Sequence, residues 1–159
     1  MKKLNIDLDL LVESFSINDD ELGKEYLDAN TGDIIHIPYE VQKVVEGDRE
    51  EEDLADWEKE LLEDAYAIEE DQQDRYIMLT NMESSYIYDA MVEFTREKVA
   101  SEDLREKLLK ALEGSNPMRS FKTIIFGCEK ELDEWQDFEE VKTKEYVMNW
   151  LKDRGVEIE

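Results

Sequence analysis

Glu25-Tyr26-Leu27-Asp28-Ala29-Asn30-Thr31-Gly32-Asp33-Ile34-Ile35-His36-Ile37-Pro38 is the stretch on which the fold turns. Two bulky, β-favouring runs flank Ala29-Asn30-Thr31-Gly32, and Gly32 can supply the positive φ of a tight reversal, so residues 25 to 38 predict a β-hairpin. Pro38 withholds a backbone donor and ends the second strand. Outward from the hairpin, Arg75-Tyr76-Ile77-Met78-Leu79 is a short apolar run between polar residues and predicts a third strand.

The remaining apolar residues follow a helical period. Leu4, Leu8, Leu11, Val12 and Phe15 predict an amphipathic helix over residues 4 to 17. Asp19-Asp20-Glu21 reads as the cap and loop that follow it. Leu54, Trp57, Leu61, Ala65 and Ile68 form one stripe, which predicts a single helix from Asp53 to Asp71 after a solvated loop over residues 47 to 53. Ile87, Ala90, Met91 and Phe94 predict a helix over residues 83 to 98. Ser101 is then the expected cap of a helix carrying Leu104, Leu108, Leu109 and Leu112. Gly114 suits a left-handed stop, and Asn116-Pro117 a cap and first-turn proline for a helix with Met118, Phe121, Ile124 and Ile125 inside. Leu132, Trp135 and Phe138 predict one further helix, and Tyr146, Val147, Trp150 and Leu151 another that stops at Gly155. Val156-Glu157-Ile158 reads as an edge strand. The expected fold is α+β: one mainly helical domain over residues 1 to 159, with a small antiparallel sheet built on the hairpin and the strand at 75 to 79.

Charge narrows the function more than any motif does. The 159 residues carry 44 acids against 19 bases, a net charge of −25 that repels phosphate backbones and excludes ordinary nucleic-acid binding. No apolar run approaches the ~20 residues of a membrane span, and no apolar signal core follows Met1-Lys2-Lys3. With Cys128 the only cysteine, a reducing cytoplasm is the expected compartment. Residues 46 to 74 hold fifteen acids and two bases, a net of −13 and about half of the total. Clustering of this kind costs stability through self-repulsion yet speeds encounter with a positive surface. The leading expectation is a non-enzymatic interaction or regulatory module that presents Glu50, Glu51, Glu52, Asp53, Glu60, Glu63 and Asp64 to a basic protein partner. Such a face can also serve solubility alone. Helical carboxylates can also imitate a row of phosphates, which makes a nucleic-acid mimic a further alternative.

One window reverses the sign, since Arg105 to Lys122 holds five bases and two acids. Internal pairing and helix C-termini explain most such charge. The alternative function, a small-anion-binding protein or enzyme, places Arg119 and Lys122 near a helix N-terminus, with His36 or Asp28 as proton acceptor. His36 is the only histidine, and no Cys-x-x-Cys, His-Glu-x-x-His or glycine-rich phosphate loop completes a site around it. An EF-hand read from Asp48 fails, because Asp53 falls where the turn glycine belongs and Lys59 where the bidentate acid belongs. No catalytic residue, metal site or cofactor is expected.

The order Tyr26-Leu27-Asp28 and Thr31-Gly32-Asp33, Arg75-Tyr76-Ile77, Met91 with Phe94, Arg119-Ser120-Phe121-Lys122, Trp135 with Phe138, and Trp150-Leu151 resembles the bacterial uncharacterised protein family 0158 over residues 4 to 158. The chain departs from that pattern at Asn116-Pro117-Met118, where the family tends to approach its Arg-x-Phe-Lys stretch through glycines. The resemblance implies a small cytoplasmic protein of unassigned biochemical role and supplies no catalytic residues.

Overall fold

The computed structural model describes residues 2–16 and 22–159, so the expected Asp19-Asp20-Glu21 cap lies outside the described residues. The chain divides into two compact units, Met1–Asn81 with Val147–Glu159, and Met82–Tyr146. It is mainly helical, with a small antiparallel sheet in the first unit.

The first unit opens with β1 (Lys2–Leu4) and α1 (Leu8–Ser16). Here the expected helix over 4 to 17 is corrected. Asp7 Oδ1 accepts the Leu10 N–H at 3.2 Å and so caps the helix after residue 7. Leu4 instead belongs to a strand. The expected hairpin forms as β2 (Gly23–Asp28) and β3 (Ile34–Pro38), paired antiparallel with Tyr26 opposite Ile35. Gly32 takes φ +85°, and a Cβ there would meet the Asn5 carbonyl oxygen at 2.5 Å, so this turn needs glycine for both conformation and space.

After the hairpin, α2 (Tyr39–Val45) was not foreseen, since seven residues bury only Val41 and Val44 and show too little period to read. The expected single helix over 53 to 71 is also corrected. It is a 3-10 turn (Glu51–Asp53), α3 (Asp56–Lys59) and α4 (Leu62–Glu69), with a break at Glu60-Leu61. Leu62 joins the core beside the partly buried Leu61, and Trp57 lies outside it with 60% of its surface exposed. Leu54, Leu62 and Ala65 pack with Ile37, Val41 and Val44. The expected third strand is β4 (Tyr76–Met78), which pairs antiparallel with β2 and gives the order β3-β2-β4.

The second unit comprises α5 (Ser84–Glu97), α6 (Glu102–Leu112), α7 (Pro117–Phe126) and most of α8 (Glu129–Asp153). The stripes read from sequence converge on Phe94, whose ring lies 5.3 Å from Trp135, 5.5 Å from Phe138 and 6.5 Å from Phe121 between centroids. Tyr88 donates its hydroxyl hydrogen to the Leu112 carbonyl at 3.1 Å. Ser101 caps α6 as expected, accepting the Leu104 N–H at 3.3 Å. Ser101→Ala should therefore cost about 0.5 to 1 kcal/mol in chemical denaturation, and an unchanged midpoint would show that the cap contributes nothing. Two local expectations fail: Asn116 makes no side-chain cap, and Gly114 is not left-handed.

The two expected C-terminal helices are one helix of 25 residues. Its middle lacks an apolar period, and other features keep it helical. Glu and Lys are good helix formers, Lys144 pairs with Glu140 at 3.2 Å, and buried Thr143 bonds the Glu139 carbonyl at 2.8 Å. The last turns of α8 belong to the first unit, where Trp150 meets Phe15 edge to face at 5.2 Å. Gly155, at φ +73°, then ends the helix and β5 (Val156–Ile158) pairs parallel with β1.

Candidate functional site

The acidic segment is mostly helix termini and turns, which places its carboxylates outward. Glu50, Glu51, Glu52 and Asp53 surround the 3-10 turn and are exposed, as are Glu60 and Glu63, while Asp64 is half-buried. Glu58 is engaged internally, its Oε1 accepting the Ala55 N–H at 2.9 Å at the start of α3. Among these acids stand two exposed aromatics that sequence reading did not assign to the surface, Trp57 on α3 and Tyr66 on α4. Trp57 stands on a separate four-residue helix that buries none of its residues, and Tyr66 lies off the stripe formed by Leu61, Ala65 and Ile68. The arrangement offers carboxylates and π faces side by side, both of which attract ammonium and guanidinium groups.

At the near end of this segment, Lys43 Nζ lies 3.3 Å from Glu46 Oε2 and 3.7 Å from Asp48 Oδ2, and its hydrogen bond to Glu46 raises the lysine's pKa. At the far end Asp71 ties down the chain, its Oδ1 accepting from the Gln73 N–H and its Oδ2 from the Tyr76 N–H. Those bonds hold its carboxyl below the usual range. Asp74 then adopts φ +56°, and Arg75 turns onto the hairpin. Its Nε and Nη2 donate to Asp28 Oδ1 and Oδ2 at 3.0 and 2.8 Å, a bidentate pair. Asp28 is only 4% exposed and also accepts the Asn30 N–H. The Arg75 hydrogen bonds hold its carboxyl below the usual range although burial opposes them. Asp28 is thus the ionised anchor of the turn.

His36 is exposed on β3, with Nδ1 3.6 Å from Glu25 Oε1 across the strand pair. Among the described residues no group of three or more His, Cys, Asp or Glu is placed to hold a metal ion. In the second unit Arg119 and Lys122 are exposed on α7, on the same face as Thr123 and Phe126. Lys122 acts electrostatically on Glu139, whose carboxyl burial pushes up and the lysine draws down. Arg105 donates to the Val99 carbonyl at 2.7 Å. Cys128 is half-buried between α7 and α8.

The model of uncharacterised protein family UPF0158 matches residues 1–158. The chain belongs to that family. The UPF0158 chain is 30% identical over 142 residues to a UPF0158 protein of Chlamydia pneumoniae, covering 89% of this chain and 39% of that protein. It is 29% identical to a UPF0158 protein of Chlamydia trachomatis, with 89% and 38% covered. It thus spans about two-fifths of the length of these curated relatives. No solved structure matches it. Among the described residues of this UPF0158 chain, no helix is long and apolar enough to cross a membrane.

Proposed function

We propose that the acidic surface of residues 46–74 is a docking face for a basic protein segment. The observation that carries this reading is Trp57, 60% exposed in the midst of clustered acids. A surface kept only for solubility has no use for an exposed indole, which adds apolar area where carboxylates suffice. Tryptophan is also the side chain most enriched among residues that dominate binding energy, and its face attracts lysine and arginine. Carboxylates steer the partner in and the indole holds it.

Capture on the immobilised full chain tests this. Proteins retained by the wild-type chain should be lost when Glu50, Glu51, Glu52, Glu60 and Glu63 are changed to Gln. Trp57→Ala should weaken their retention by roughly tenfold or more while leaving the denaturation midpoint within about 0.5 kcal/mol. The same retained proteins on all three chains would overturn the proposal.

A further inference from the structure

Beside the acidic face, a groove of about 210 Å³ opens between the sheet, α2 and α4. Ile37, Val45, Ala65 and Ile68 line it with aliphatic surface, and Tyr26 lines it from β2. Three charged side chains border it: Lys24, Glu46 and Glu69. The volume lies below the ~300 Å³ at which pockets for whole small ligands begin, so the groove suits one side chain. Glu46 is already paired with Lys43. Glu69 has no ion pair among the described residues, and its negative charge is felt at the Tyr26 hydroxyl, whose pKa burial raises and Glu69 raises further. A groove with aliphatic patches in a mainly polar lining, bordered by a carboxylate that has no ion pair among the described residues, suits a side chain whose aliphatic stem ends in a cation.

We propose that this groove receives one arginine side chain of the basic segment that docks on the acidic face, with its methylenes against Ile37, Ala65 and Ile68 and its guanidinium on Glu69. The inference rests on the docking reading above and adds the residue type that anchors the partner. Arginine fits better than lysine because its planar fork bonds a carboxylate through two N–H groups and stacks on an aromatic ring such as that of Tyr26. Lys24 opposes the incoming cation from the other side of the rim.

The test is a methyl and amide NMR titration of the full chain with N-acetyl-arginine methylamide, and with the lysine and neutral citrulline analogues. The arginine probe should shift the methyl signals of Ile37, Ala65 and Ile68, the lysine probe less, and the citrulline probe hardly at all. Glu69→Gln should weaken the arginine probe about tenfold, and Lys24→Gln should tighten it. Both changes are on the groove rim, and unchanged signals elsewhere verify folding. Shifts confined to Trp57 and its neighbours would overturn the groove inference while leaving the docking face standing. Equal binding of citrulline, or no shift at Ile37, Ala65 and Ile68, would overturn the inference as well, and the docking face would still be judged by the capture experiment.

Discussion

Phe94→Ala is expected to destabilise the second unit by about 3 to 5 kcal/mol. Phe94 is fully buried and its ring meets those of Trp135, Phe138 and Phe121, which come from two other helices. Deleting it removes apolar area and leaves a cavity that three rigid rings cannot collapse to fill. Urea denaturation followed by near-ultraviolet circular dichroism would register the loss as a lower midpoint. The comparison is Phe126→Ala on α7. That ring is 67% exposed, and its removal should change stability by no more than about 0.5 kcal/mol. Similar midpoints for the two variants would mean that the aromatic cluster does not organise this unit.

Arg75→Ala should cost about 2 to 3 kcal/mol at neutral pH, because it leaves the buried Asp28 carboxylate without its bidentate partner. The figure is set below the roughly 3 to 5 kcal/mol of a fully buried pair because Arg75 itself is 41% exposed on its side chain. The pH dependence has a definite sign. Asp28 titrates lower in the folded chain than in the unfolded chain, where a carboxyl of this type has a pKa of about 3.9. The stabilisation is therefore fully present above that value and is lost as pH falls through the folded value. The difference between wild type and Arg75→Ala should narrow between about pH 5 and pH 3. A constant difference across that range would show that the arginine acts through packing rather than through the ionised carboxylate.

Which features were legible in the sequence follows from where their physical causes lie. The hairpin was readable because Gly32 and the flanking Tyr26 and Ile35 are local signals, and the register depends on them. Ser101 was readable for the same reason. The strand holding Leu4 was not, since Ile158, opposite Leu4 in the partner strand, is more than 150 residues away in the chain. The continuity of α8 escaped because a helix held by charged pairs between residues 139 and 145 carries no apolar period. At the candidate site, the acids were visible as composition, and the exposed Trp57 was not. Its spacing from Leu54 and Leu61 fits a buried stripe, yet α3 is a separate four-residue helix that buries none of its residues and leaves Trp57 outside. The Asp28 and Arg75 pair joins residues 47 apart, and neither is marked by a motif.

The most direct measurement of the docking claim uses the indole itself. Of the three tryptophans, Trp135 and Trp150 are 3% and 6% exposed, so acrylamide quenching of intrinsic fluorescence reports chiefly on Trp57. Titrating the full chain with a basic protein retained in the capture experiment should protect the indole from acrylamide and shift its emission to shorter wavelength. The protection should weaken as salt is raised from about 50 to 300 mM, because the screening length falls from roughly 14 Å to about 6 Å and the attraction of the carboxylates for the basic partner falls with it. Binding of that protein with Trp57 as open to acrylamide as in the free chain would contradict the account.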